Sequence, residues 1–185
     1  MLMPLKIALQ FLTRFPVQVN EYRVEHLRGS LYWYAVVGAL LGGALCLLQI
    51  LLLMALPWDA DPVVTILLLV AWVLATGALH LDGLADSADA WLGGHGDRDK
   101  ALRIMKDPQS GPAGVVAIVL VLLLKFALIL FLQQHQQLAY LLLVPLTARA
   151  MIPLLFYTTP HVRSEGLGSP FSEGLEFIGI WPGLL

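Results

Sequence analysis

Four stretches of this sequence are long and apolar enough to cross the hydrocarbon core of a membrane, for which about 20 residues are needed. Hydrophobic residues make up 58% of the 185 in the chain, which is more than a soluble core of this length can bury. The sequence therefore predicts an all-α fold: a polytopic transmembrane helical bundle with short interfacial helices, forming a single integral membrane domain over residues 1–185 in the lipid bilayer. The predicted spans are about 31–56, 63–81, 114–132 and 138–157.

The basic residues are distributed unevenly among the connections between these spans. The connections 57–62 and 133–137 contain no Lys or Arg, so we expect both to face outward. The basic residues outside the spans are Lys6, Arg14, Arg23, Arg28, Arg98, Lys100, Arg103, Lys106 and Arg163. By the positive-inside rule, the N-terminus and the loop 82–112 are predicted to be cytoplasmic. A net charge of -2 without a basic surface argues against nucleic acid as a partner.

Small residues and charges inside the predicted spans also carry information. Gly38 and Gly42 belong to a small-residue face in the first span, which predicts close helix packing. Lys125 and Arg149 lie inside the third and fourth spans, where an ionised side chain is costly and usually faces a partner or a polar cavity. Lys125 lies deeper, whereas Arg149 is close enough to the cytoplasmic end to reach the interface with its charged group. Each is a candidate functional residue, with a structural ion pair as the alternative.

The most informative segment runs from His80 to Trp91 and contains three aspartates. If the second helix continues through this segment at about 100° per residue, Asp82, Asp86 and Asp89 fall within an arc of roughly 60°. Carboxylates at these spacings repel one another and favour a bound cation. Oxygen ligands favour magnesium completed by phosphate oxygens, so the pattern predicts a phosphoryl-transfer site. The alternative is a solvated acidic turn beside the membrane.

Further polar residues flank this acidic motif. A glycine-rich break at 93–96 precedes Asp97, which we predict to cap an interfacial helix from Arg98 to about Lys106. Lys106 can neutralise a phosphate, or it can be an ordinary basic flank of a membrane span. His80 is a candidate general base or a polar residue at the interface, but on an ideal helix it points away from the Asp82 face.

The run His80-Leu-Asp-Gly-Leu-Ala-Asp-Ser-Ala-Asp89, followed by Arg103-Ile-Met-Lys-Asp107, closely resembles the cobalamin synthase family of adenosylcobinamide-GDP ribazoletransferases. The resemblance extends to Phe11–Val17, to the glycine-rich first span, to the lysine of the third span and to Arg163–Phe171. It therefore covers nearly the whole chain.

The resemblance implies a magnesium-dependent, multi-pass enzyme of the bacterial inner membrane that acts in cobalamin nucleotide-loop assembly. The implied substrates are adenosylcobinamide-GDP and α-ribazole or its 5′-phosphate, and the products are adenosylcobalamin or its 5′-phosphate and GMP. A homo-oligomer or contact with other cobalamin-assembly enzymes is also expected.

The same resemblance assigns roles to individual residues. Mg²⁺ would be held by Asp82, Asp86 and Asp89, with Asp107 as a further ligand or the base and His80 as another catalytic candidate. The candidates for binding substrate phosphates are Arg14, Arg103, Lys106, Lys125 and Arg149.

The sequence departs from the family pattern at three places. Ala90 stands where the family usually has glycine, and Pro108-Gln109-Ser110 replaces the usual serine, basic residue and apolar residue before Gly111. The family also usually continues beyond this length with further apolar spans. A chain that is shortened at its C-terminus is therefore expected.

Two other functions compete with this interpretation. A CDP-alcohol phosphatidyltransferase also uses membrane aspartates and magnesium, but its pattern has alanine where Asp86 stands, followed by an arginine that this chain lacks. A transporter or cation channel subunit predicts charges at matching depths in several spans and repeated halves. The acidic residues here gather at one edge, without an internal repeat.

Overall fold

The computed structural model describes residues 2–19, 22–57, 59–137 and 139–159, and these ranges contain helices and connections but no strand. The helices are α1 (Leu2–Leu12), α2 (Val24–Ser30), α3 (Tyr34–Ala55), α4 (Asp61–Thr76), α5 (Leu79–Gly94), α6 (Arg98–Ile104), α7 (Pro112–Gln134) and α8 (Ala139–Thr158), with a 3₁₀ turn at Leu31–Trp33. The predicted all-α fold class is confirmed. The predicted motif at Arg163–Phe171 lies outside the described residues.

Three helical segments of the described chain have the length and apolar composition needed to cross a membrane. They are Val24–Ala55, Pro112–Gln134 and Ala139–Thr158, and the pair α4 and α5 makes a fourth if it is taken as one broken span. Most of their large apolar side chains are exposed, as expected where lipid is the solvent. The chain is thus a multi-pass membrane protein.

The described chain divides into two compact units, of which the first contains residues 2–19, 22–50 and 139–159. Its core contains Ala8, Leu12, Leu31, Tyr34 and Val37, from α1, the 3₁₀ turn and α3. In the same unit α3 and α8 approach closely: a Cβ added to Gly38 would lie 2.5 Å from Pro145 O, and one added to Gly42 would lie 2.7 Å from Leu142 Cα. The predicted packing role of these two glycines is confirmed.

The second unit, residues 51–137, contains α4, α5, α6 and α7. Near the start of α4 and the end of α7, Gln133 Nε2 donates to Asp61 Oδ1 at 2.8 Å, and Thr65 Oγ1 donates to Gln133 Oε1 at 3.3 Å. Farther along the same two helices, Lys125 Nζ lies 4.6 Å from the ring centroid of the buried Trp72. The cation therefore lies against an aromatic face inside the span.

The second span does not continue as one helix into the acidic motif, which was the condition for the helical projection of its aspartates. Helix α4 ends at Thr76, and α5 begins at Leu79 after a bend of 85°. Gly77 and Ala78 both have left-handed backbone, at φ 64° and 58°. The amide of Ala78 bonds to Val73 O at 3.1 Å and that of Gly77 to Leu74 O at 3.1 Å, which is the hydrogen-bond pattern of a Schellman C-cap. The acidic motif thus lies on its own helix.

Candidate active site

Helix α5 carries all three aspartates of the acidic motif, and they occupy very different surroundings. Asp82 is exposed on the first turn, and Asp86 is half-buried one turn later. Neither carboxylate makes a hydrogen bond or ion pair with the described residues. A position near the helix N-terminus also favours negative charge, because the free N–H groups point there.

Asp89 instead binds the N-terminus of α7. Its Oδ2 accepts a hydrogen bond from Gly111 N at 2.7 Å, and its Oδ1 accepts one from Gly114 N at 2.9 Å. The first amides of a helix have no partner inside that helix, and Gly111, which occupies the N-cap position of α7, has no side chain to supply one. Asp89 therefore caps α7 from another helix, across 22 and 25 residues of sequence.

Glycine is required at both partner positions because the carboxylate approaches so closely. A Cβ added to Gly111 would overlap the Asp89 carboxylate, and one added to Gly114 would lie 2.5 Å from Asp89 Oδ2 and 2.9 Å from Ala85 Cβ. Sequence reasoning missed this contact. The sequence feature that could have predicted this contact is the Gly111-Pro112 pair at the start of the helix. Because glycine has no side chain to cap the helix, the cap must come from elsewhere in the chain.

A three-carboxylate magnesium site is not assembled in this structure. Among the described residues, no group of three His, Cys, Asp or Glu side chains is placed to hold a metal ion. The carboxylate oxygens of Asp82 and Asp86, one turn apart, accept no hydrogen bond from the described residues. Both oxygens of Asp89 accept hydrogen bonds from amides of α7. Magnesium is commonly bound by one or two carboxylates together with waters and substrate phosphates, so the first two aspartates fit that role. Magnesium binding stays a prediction, and the structure reduces the predicted ligands from three aspartates to Asp82 and Asp86.

Helix α6 brings the chain back along α5. Asp97 caps α6 as predicted, accepting from Asp99 N at 2.9 Å and Lys100 N at 3.1 Å. The predicted helix to about Lys106 ends at Ile104, whose Cδ1 would lie 2.7 Å from a Cβ added to Gly93. The chain then runs from the level of Gly93 to the level of Asp89, where Gly111 is bonded.

This return segment carries three of the predicted site residues. Arg103 and Lys106 are exposed, and neither has an ion pair with another described residue. Asp107 is exposed, and its Oδ1 accepts from Gln109 N at 3.0 Å, which shapes the turn before α7. The structure therefore places Arg103 in the last turn of α6, and Lys106 and Asp107 on the loop between α6 and α7.

Of the remaining candidates, His80 lies on α5 and the other three lie elsewhere. His80 is exposed in the first turn of α5, and this helix continues through Gly83 without a break. Lys125 lies 11 residues beyond Gly114 on α7, about 16 Å along the helix axis, and contacts Trp72 instead. Arg14 and Arg149 belong to the first unit, where Arg14 is exposed after the end of α1.

The side of α5 that faces α7 is apolar apart from Asp89. Ala85 is buried there, and a groove of about 680 Å³ runs between the two helices. It is lined by Ala88, Asp89, Trp91, Leu92, Gly93, Pro112, Ala113, Val116, Ala117 and Leu120. Trp91 is 83% exposed, a position that suits an aromatic side chain at a membrane interface. The predicted acidic side of this helix therefore holds only for Asp82 and Asp86, because Asp89 lies on the side that contacts α7.

Comparison with known proteins identifies the family. Residues 4–184 match the model of the family described as cobalamin-5-phosphate synthase. The chain belongs to the cobalamin-5-phosphate synthase family. The predicted family is confirmed, and the match to nearly the full chain favours it over the phosphatidyltransferase and transporter alternatives.

Several curated members of this family are similar to the chain over most of its length. The adenosylcobinamide-GDP ribazoletransferase of Pseudomonas fluorescens (strain Pf0-1) is 51% identical over 175 residues, which cover 94% of this chain and 70% of that protein. The protein of the same name from Stutzerimonas stutzeri (strain A1501) is 50% identical over 176 residues, covering 94% and 70%. That from Ectopseudomonas mendocina (strain ymp) is 50% identical over 171 residues, covering 92% and 69%. No solved structure matches the chain.

Proposed function

We propose that this chain is an adenosylcobinamide-GDP ribazoletransferase, which joins the cobinamide phosphate of adenosylcobinamide-GDP to α-ribazole or its 5′-phosphate. The observation that carries the proposal is the roughly 50% identity to ribazoletransferases over 94% of the chain. The structure adds a helix of carboxylates with a cationic loop beside it, which is a suitable arrangement for phosphoryl transfer.

The reaction is a displacement at phosphorus. A ribose hydroxyl oxygen of α-ribazole forms a bond to the cobinamide-linked phosphorus, and the bond from that phosphorus to the bridging oxygen breaks. GMP leaves with the electron pair of that bond, and the hydroxyl proton passes to a base. The products are adenosylcobalamin, or its 5′-phosphate, and GMP.

The reaction needs groups that bind the charged diphosphate and a group that accepts the hydroxyl proton, and the described residues supply candidates for both. Asp82 and Asp86 would hold Mg²⁺, which when bound offsets the negative charge of the diphosphate. Arg103, in the last turn of α6, and Lys106, on the loop after it, would donate hydrogen bonds to phosphate oxygens. Asp107 stands on the same loop as the candidate base, and His80 is the alternative base on the first turn of α5.

Assay of GMP release tests the proposal. Detergent-purified chain is given adenosylcobinamide-GDP and α-ribazole 5′-phosphate, with magnesium or with EDTA, beside the variants Asp82→Asn and Asp99→Asn. Asp99 is exposed on α6 and serves as the matched control. We expect release that needs magnesium, is lost in Asp82→Asn and survives in Asp99→Asn. Folded wild-type chain that releases no GMP from these substrates would refute the proposed activity.

We also propose that the chain lies in the bacterial inner membrane with its N-terminus and the segment 82–112, which contains the acidic motif, in the cytoplasm. The support is the placement of basic residues, which flank α5 and α6 but are absent from the connections at 57–62 and 133–137. A cysteine placed at Gly96 should react with an impermeant reagent only after the cells are opened. Reaction in intact cells would contradict this orientation.

A further inference from the structure

Arg149 is a buried cation whose hydrogen-bonding groups are unused. It lies near the middle of α8 and is only 3% exposed, so its charged group does not reach the interface as the sequence had allowed. Its Nε and Nη2 atoms are buried without a hydrogen-bond partner. An uncompensated charge at such a position is costly, and one that persists inside a span usually serves a ligand or a proton path.

A second unused polar group lies at the same level of the bundle. Gly38 of α3 contacts Pro145 and Leu146 of α8, and Gly42 contacts Leu142, so the two helices run antiparallel. One further turn along each helix from the Gly38 contact leads to Tyr34 and Arg149. Tyr34 is fully buried, and its hydroxyl has no hydrogen-bond partner beyond the neighbouring Ser30 side chain.

Packing confirms this register. Ile152 and Phe156 of α8 pack against the core cluster that contains Tyr34. Ile152 is three residues beyond Arg149 and Phe156 is seven, so both share its helix face. The face of α8 that bears Arg149 is therefore directed towards the start of α3.

The described part of this unit offers Arg149 no counter-ion. Its one carboxylate side chain in the described ranges is that of Glu25, which is exposed on α2 and forms no ion pair with another described residue. A guanidinium with unused N–H groups and a phenol hydroxyl are both donors. Among the described residues nothing supplies the acceptor that these donors lack, and an acceptor that carries negative charge would satisfy them.

We propose that Arg149 and Tyr34 form a buried anion-binding site that takes a phosphate or diphosphate group. The guanidinium suits two parallel hydrogen bonds to phosphate oxygens, and the hydroxyl supplies a third. The source of the anion rests on the proposed function, since α-ribazole 5′-phosphate carries a phosphate group that the contacts proposed for the diphosphate do not use. A phospholipid headgroup presents the same chemistry, and the test separates the two sources.

Thermal unfolding of the full chain in nanodiscs of phosphatidylcholine tests the site, with inorganic pyrophosphate as the probe and EDTA present to exclude magnesium-dependent binding. We expect pyrophosphate to raise the Tm of the wild type by several degrees. Arg149→Leu should abolish this rise. Its own Tm without pyrophosphate should equal or exceed that of the wild type, because an unpaired buried charge has been replaced by an apolar group. Arg98→Leu, which removes an exposed arginine on α6, should behave like the wild type.

Further arms separate this site from the reaction and from lipid. Asp82→Asn should keep the pyrophosphate effect although it loses turnover, so failure of the proposed function and failure of the site are distinguishable. A Tm that rises with phosphatidylglycerol instead of pyrophosphate, and only when Arg149 is present, assigns the site to a lipid headgroup.

Milder variants keep the proposal testable if Arg149→Leu does not fold. Arg149→Lys should need about ten times more pyrophosphate for the same rise in Tm, because a lysine cannot make two parallel hydrogen bonds to a phosphate. Tyr34→Phe should need a smaller increase. An Arg149→Leu chain with a strongly lowered Tm and an unchanged response to both probes would overturn the site. So would wild-type responses from both milder variants.

Discussion

The two halves of α5 carry the same kind of side chain but use it differently. At the amino-terminal end, Asp82 and Asp86 have no partner among the described residues. At the carboxyl-terminal end, Asp89 binds two amides of α7. On a helical projection the three aspartates are equivalent, and the difference between them comes entirely from α7. A shared helix face therefore does not establish a shared role.

The largest expected effect is on catalysis, at the amino-terminal end. Asp86→Asn keeps the shape of the side chain but removes its charge, so turnover should fall by roughly 10²–10³-fold, because a charged ligand for the Mg²⁺ that would offset the diphosphate is lost. The free energy of unfolding should change little, because Asp86 makes no hydrogen bond in the described structure. Steady-state GMP release and a denaturant melt measure the two quantities. Near-normal turnover in Asp86→Asn across magnesium concentrations would remove Asp86 from the site.

The next effect is on stability, at the carboxyl-terminal end. Asp89→Ala removes two hydrogen bonds to a carboxylate and leaves the first amides of α7 uncapped, which should cost about 2–3 kcal/mol of the free energy of unfolding. Turnover per folded molecule should fall less than in Asp86→Asn. If Asp89→Ala instead unfolds like the wild type and is inactive, Asp89 acts on the substrate or metal and not on α7.

Asp97→Ala is the matched control, with the smallest effect. Asp97 also caps a helix through two amides, but it caps α6 from the adjacent position in sequence and is exposed. Loss of this cap should lower the free energy of unfolding by about 1 kcal/mol. A cost equal to that of Asp89→Ala would mean that bridging α5 to α7 contributes nothing beyond local capping.

Most of the fold was predictable because the membrane requires long apolar helices. The predicted spans at 31–56, 114–132 and 138–157 differ from α3, α7 and α8 by only a few residues at each end. The span at 63–81 failed at its end, because hydropathy does not detect a backbone reversal. The Thr76-Gly77 pair was the available signal, since glycine favours the left-handed conformation of a helix C-cap.

The site was predictable in its residue types but not in its partnerships. The acidic motif and the basic loop stand out locally, and the fold brings Lys106 and Asp107 back beside α5. The bond from Asp89 to Gly111 and Gly114 and the stacking of Lys125 on Trp72 both join residues far apart in sequence. Such contacts depend on how helices cross, which periodicity within one helix cannot reveal.

Helix α7 is fixed at both of its ends, at Gly111 and Gly114 by Asp89 and at Gln133 by Asp61 and Thr65. Inserting or deleting one residue between these points would rotate one end by about 100° and shift it by about 1.5 Å relative to the other. One set of contacts would then be lost whichever set was kept. The length of α7 is therefore constrained independently of its composition, and variation in chain length among relatives should be found in the connections and not between Gly114 and Gln133.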